Sequence, residues 1–188
     1  MKVRDSGMPD PATWEGFFDP AEVLGRLAFD PAADVVDFGC GYGTFAVAAA
    51  AMTTGTVLGI DLDPAMIEAT AARAKKRGLA NLRVLRRDFD AERTGQPDAS
   101  AGYAMLFNVL HAEDPMPVIR EAFRLLKPGG RLAVIHWVHD AATPRGPDLA
   151  IRPRPSECRA WLTQAGFHLA IPEVPLPPWH FGLVGTRP

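Results

Sequence analysis

The sequence predicts an α/β fold, a mostly parallel sheet with helices on both faces. Three observations carry that expectation. Short apolar and β-branched runs alternate with segments of helical length, joined by short turns. The first apolar run, Val35–Phe38, ends in a turn holding Gly39, Gly41 and Gly43, and a helix-like run starts at once at Thr44. The second run is followed by an acid, Asp61, 22 residues beyond Gly39. That matches the offset of about 20 residues for a ribose-binding acid in a βαβ unit.

The elements follow in order. Residues 1–19 read as a loose leader, with Pro9 and Pro11 followed by the bulky group Trp14, Phe17 and Phe18. Pro20 opens a short helix over 21–28, since proline suits the first helical turn. Val35–Phe38 is a strand and Thr44–Met52 a helix. Residues 56–60 form a strand, and 64–77 a helix with Gly78 as its stop. Strands are expected at 82–85 and 103–107, then a helix over 117–126. Lys127-Pro128-Gly129-Gly130 turns the chain into a strand at 131–136. After a proline-rich connection, Ser156 caps a helix through 165, stopped by Gly166. Two last strands are expected at 168–174 and His180–Thr186, joined by the stiff Pro175-Leu176-Pro177-Pro178 turn.

The 188 residues suit one domain, 1–188, with 1–19 as a leader placed to cover a pocket and 20–188 as the core. Apolar residues make up 47 % and charged residues 22 %, as in ordinary globular chains, and no apolar run approaches the ~20 residues of a transmembrane helix. A formal net charge of −2 gives no electrostatic case for a nucleic-acid partner. The two cysteines, Cys40 and Cys158, cannot build a disulfide framework, which is consistent with a cytoplasmic protein.

The glycine turn carries the chemistry. Glycines at a strand-to-helix turn let the backbone bend and approach a ligand, and the free N–H groups of the next helix face it. The dinucleotide fingerprint G-x-G-x-x-G/A needs glycine or alanine at position 44, where Thr44 stands. The form present is Asp37-x-Gly39-x-Gly41-x-Gly43. It resembles the first motif of the class I S-adenosylmethionine-dependent methyltransferases. S-adenosylmethionine has no phosphate but carries an α-ammonium and a sulfonium, so a carboxylate at the end of the first strand is apt.

The resemblance covers nearly the whole chain. It implies a Rossmann-like class I methyltransferase fold of seven strands in the order 3-2-1-4-5-7-6, mostly parallel, with the last strand antiparallel. It implies S-adenosyl-L-methionine as cofactor and S-adenosyl-L-homocysteine as product. Asp37, with the turn Gly39, Cys40, Gly41 and Gly43, takes the methionine end. Asp61 takes the ribose hydroxyls and Leu62 packs on the adenine. Asp88 bonds the adenine amino group and Phe89 offers a backbone N–H to the ring. Asn108, ending the fourth strand, lies beside the cofactor. Asp63 reads as the cap of the helix begun by Pro64.

The acceptor side is sought outside the carboxyl ends of the strands. His111, His136, Trp137, His139, Asp140 and His180 fall there. His136 and His111 are the candidate catalytic bases, with polar lid residues as the alternative. The set His111, His136, His139 and Asp140 has metal-ligand chemistry, but its spacing is not diagnostic and no metal is assigned. Trp14, Phe17, Phe18, Trp137 and Trp179 either line an apolar pocket or pack the leader and hairpin on the sheet. Arg152 and Arg154 either bind an anionic substrate group or face solvent. The expected activity is methyl transfer to a small-molecule acceptor by a monomer or homodimer. The rival reading is a cofactor-binding sensor or assembly subunit without turnover.

Overall fold

The structure, a computed structural model, describes residues 9–188; the part of the expected leader over residues 1–8 lies outside them. Seven strands form one sheet: β1 (Val35–Phe38), β2 (Val57–Asp61), β3 (Leu82–Arg86), β4 (Ala101–Phe107), β5 (Leu126–Trp137), β6 (His168–Leu176) and β7 (His180–Thr186). Their order is β3-β2-β1-β4-β5-β7-β6, as expected. β1 to β5 pair in parallel, and β7 runs antiparallel between β5 and β6. The sheet reverses direction of growth at β1, so β1 and β4 leave a crevice beyond their carboxyl ends, where open α/β sheets bind ligands.

Among the described residues seven α-helices connect and cover the strands: α1 (Pro11–Glu15), α2 (Pro20–Arg26), α3 (Thr44–Met52), α4 (Pro64–Lys76), α5 (Phe89–Glu92), α6 (Met116–Leu125) and α7 (Pro155–Gln164). Two apolar layers result. One holds Leu106, Ile119, Val134, Leu162 and Leu183, from α6, α7 and one sheet face. The other holds Leu24, Ala46, Met105, Ile135 and Val184, with α1, α2 and α3 on the opposite face. Tyr103 crosses this second layer, and its hydroxyl donates to the Leu27 carbonyl at 2.9 Å, tying α2 to the sheet.

Several boundaries differ from expectation. Part of the leader is ordered: Asp10 caps α1 by accepting from the N–H groups of Ala12 and Thr13, and Trp14 is buried. Asp19 repeats the device for α2. β5 begins at Leu126, which pairs with Ala101 ahead of a bulge, so the 127–130 turn lies within the strand. β6 runs on to Leu176 despite Pro172 and Pro175, because an edge strand need not donate on its outer side. α7 starts at Pro155, with Arg154 rather than Ser156 at the cap.

Candidate active site

A cavity of about 440 Å³ opens beyond the carboxyl ends of β1 to β5. Nine of the ten predicted cofactor residues line it: Asp37, Gly39, Cys40, Gly41, Asp61, Leu62, Asp88, Phe89 and Asn108. Gly43, the tenth, lies one step behind. It takes φ +80° as the N-cap of α3, and a Cβ there would come within 2.7 Å of the Thr70 hydroxyl. That hydroxyl, fully buried, donates to the Gly41 carbonyl at 2.9 Å and holds the turn from beneath. Gly39 has φ +70°, and a Cβ there would meet Val109 at 2.8 Å. Both glycines are therefore required by conformation and by space.

The acids occupy different roles around the turn. Asp61 accepts from Gly41 N–H at 2.9 Å and from Asp63 N–H at 3.0 Å, so its carboxylate is fixed at the cavity edge. Asp63 caps α4 by accepting from Ala65 N–H at 2.8 Å, as expected, and also lines the cavity. Asp88 accepts from Asp90 and Ala91 N–H and starts α5, which places Phe89 under the site. Asp37 is buried. Burial, and then the charge of Asp61, push its carboxyl up to about 7. The Cys40 thiol is likewise pushed up by burial and by Asp37 and Asp61, so it is not a nucleophile. Among the described residues Leu62 is the large apolar side chain left exposed, at 36 %, and it lines the cavity where a flat ring could stack.

The histidines divide. His111 is buried and lines the cavity. His136 does not line it: strand alternation turns Trp137 into the cavity and His136 to the other sheet face, 5.8 Å from the His111 ring. Burial, then the neighbouring His111 and His180, hold the His136 imidazole well below the usual histidine range. The expectation that His136 opens to the site is thus not met. His180 is enclosed by Trp14, Phe18 and Trp137, and burial with nearby Arg152 brings it down to about 3. His139 Nδ1 lies 3.0 Å from the Arg152 carbonyl. Among the described residues no three His, Cys, Asp or Glu side chains are grouped to hold a metal ion, so the set His111, His136, His139 and Asp140 is not assembled.

Arg152 resolves neither as a substrate ligand nor as a solvent-facing residue. It is buried, and its guanidinium donates to the carbonyls of Pro147, Val138 and Asp140 and to the Thr143 hydroxyl. It closes the loop after β5 upon itself. Arg154 is exposed. Of the aromatic group, Trp14 and Trp137 line the cavity, while Phe17 and Phe18 pack on Trp14. Phe45, Phe107 and Tyr42 also line it and were not singled out from the sequence. Phe45 lies two residues after Gly43 in the first turn of α3, and Phe107 ends β4 immediately before Asn108; that adjacency was the available signal.

The sequence profile of the methyltransferase domain family matches residues 35–130, from β1 into β5. The chain belongs to this family. Among curated relatives of this methyltransferase domain, the ribosomal protein L11 methyltransferase of Dechloromonas aromatica (strain RCB) is 33 % identical over 141 residues, covering 67 % of this chain and 44 % of that protein. The aklanonic acid methyltransferase DauC of Streptomyces sp. (strain C5) is 35 % identical over 112 residues, covering 58 % and 50 %. The chain thus spans about half the length of these relatives. A crystal structure of a SAM-dependent methyltransferase from Aquifex aeolicus superposes with a TM-score of 0.84 at 25 % identity, over 95 % of this chain and 94 % of that one.

S-adenosylmethionine is therefore the cofactor to set against the site, and the residues fit it. A glycine turn with no room for side chains, a fixed carboxylate at Asp61 and a buried acid at Asp37 border one cavity. The Asn108 amide also lines it, with neither its nitrogen nor its oxygen hydrogen-bonded among the described residues. No helix among them is long and apolar enough to cross a membrane.

Proposed function

We propose that the domain is an S-adenosylmethionine-dependent methyltransferase acting on a small-molecule acceptor. The observation that supports it is the single cavity in which the motif acids and glycines of β1, β2 and β3 adjoin an aromatic wall from β4, β5 and α1. Asp37 and the 39–43 turn hold the methionine end, Asp61 the ribose, and Asp88, Phe89 and Leu62 the adenine. When bound, the cofactor supplies an activated methyl group on a sulfonium. The protein contributes alignment and exclusion of water. Trp14 from α1 and His111 both line the cavity, which supports His111 as the group that accepts the proton of a hydroxyl acceptor.

Turnover is tested by supplying S-adenosylmethionine with fractionated metabolite pools and following S-adenosylhomocysteine. Expected is product formation that falls on the order of a hundredfold in His111→Ala and much less in His136→Ala, the span of general base catalysis. Equal losses in both variants overturn the assignment of His111. Cofactor binding without turnover on any pool favours the second reading, a sensor or assembly subunit. The intact acids at 37, 61 and 88 support binding equally under both readings.

A further inference from the structure

We propose that the half of the cavity formed by β4, β5, α1 and the start of α3 is a subsite for a neutral, flat, apolar acceptor that presents one hydrogen-bonding group to Asn108. The inference rests on the methyltransferase reading and specifies its substrate class. Its basis is an uneven division of charge around one cavity. The formally charged lining residues, Asp37, Asp61, Asp63, Arg87 and Asp88, all lie in or just after β1, β2 or β3. Because the sheet order is β3-β2-β1-β4-β5, they gather on one side, with Asp37 on β1 at the boundary with β4.

The other side presents Trp14, Phe45, Phe107, Val109 and Trp137, with Thr44, Asn108 and His111 among its polar side chains, all uncharged in form or titratable rather than fixed ions. Its rings are locked against one another. Phe45 and Phe107 meet edge to face at 4.7 Å, and Trp14 and Trp137 lie 6.3 Å apart. Walls of this kind favour a flat apolar molecule through burial and ring contacts. They offer no counter-ion. Moving an ammonium or carboxylate into such surroundings without a partner costs several kcal/mol. A lysine side chain or a peptide amine is therefore a poor occupant, and so is an anionic acid.

Asn108 supplies the main polar element, beside the Thr44 hydroxyl, which is also buried without a hydrogen-bond partner among the described residues. The Asn108 backbone is held at φ +58°, left-handed for a non-glycine residue, and its N–H is fixed to the Ile135 carbonyl at 2.8 Å. Both side-chain amide atoms are shielded from solvent and lack a hydrogen-bond partner among the described residues. Leaving such a group unsatisfied costs about 1–3 kcal/mol, which a hydroxyl or carbonyl on the acceptor would recover. Trp14, only 7 % exposed, adds its ring from α1 to the apolar wall of the subsite.

The test is calorimetric titration near neutral pH with three probes of one shape: 2-naphthol, 2-naphthoate and 2-(aminomethyl)naphthalene. Each is titrated with and without saturating S-adenosylhomocysteine, whose own binding is measured first. The neutral probe is expected to bind at least about tenfold more tightly than either charged one, a preference of about 1.4 kcal/mol. Val109→Asp, which places a carboxylate in this half, is expected to reverse the preference toward the ammonium probe. If either charged probe equals 2-naphthol in the wild-type chain, the inference falls. If S-adenosylhomocysteine binds and no naphthalene does, the inference falls while the methyltransferase reading stands. If S-adenosylhomocysteine fails to bind, that reading falls instead, and the probe series without it still decides the subsite.

Discussion

Replacing Asp37 by Asn is predicted to make the empty protein more stable and less able to hold its cofactor. Asp37 is 3 % exposed, and its carboxyl is raised by burial and by Asp61 from 3.8 to about 7. Between those two values the folded chain keeps a proton that the unfolded chain has released. The unfolded state then binds fewer protons, so stability falls as pH rises through this window and levels off above about 7. A displacement of roughly 3 pH units at 1.36 kcal/mol each sets the penalty above that window at about 4 kcal/mol. Asn cannot ionise and escapes it. Urea unfolding of both proteins should show the variant about 2–4 kcal/mol more stable near pH 8, and no more stable near pH 4. Differences between the two proteins cancel the titration of every group that does not interact with Asp37, leaving Asp37 and its neighbours Asp61 and Cys40. A variant that gains nothing near pH 8, or a gap that does not change with pH, would refute the reasoning. The same substitution removes the charge offered to a cationic ligand, so affinity for S-adenosylhomocysteine should fall.

Gly43→Ala combines a left-handed backbone with a Cβ 2.7 Å from the Thr70 hydroxyl, which must then release the Gly41 carbonyl. About 2–3 kcal/mol of stability should be lost by denaturant unfolding, and a loss below about 0.5 kcal/mol would contradict the role given to that glycine. Arg152→Lys should destabilise by about 1–3 kcal/mol, because a lysine cannot reach the carbonyls of Val138, Asp140 and Pro147 together. Proteolysis of the loop after β5 should accelerate in that variant; unchanged cleavage would argue against the guanidinium as the loop's organiser.

Much of the sheet was legible because its signals are local. Strand–helix alternation and the glycine stops gave all seven strands. Asp37, Asp61 and Asp88 reached one cavity because each lies at or just beyond the carboxyl end of a parallel strand, and such ends share one edge of the sheet. The failures came where the answer depends on three dimensions. Along β5, Leu132, Val134 and His136 point one way and Ala133, Ile135 and Trp137 the other, and both sets are buried. Nothing in that alternation says which face adjoins the cofactor, and Trp137 holds the place expected of His136. Arg152 sits in a proline-rich stretch that reads as surface, yet its guanidinium satisfies carbonyls that would otherwise be stranded. Asp10-Pro11 carries the same cap signal as Asp19-Pro20 and Asp63-Pro64. It marks a five-residue helix, too short for periodicity to show.

The most direct test of the account is calorimetry of the wild-type chain and Asp61→Ala with S-adenosylhomocysteine. One site per chain in the wild type, weakened on the order of a hundredfold once the carboxylate fixed by Gly41 and Asp63 is removed, is the predicted result. No binding by the wild type, or equal affinity in both proteins, would contradict it.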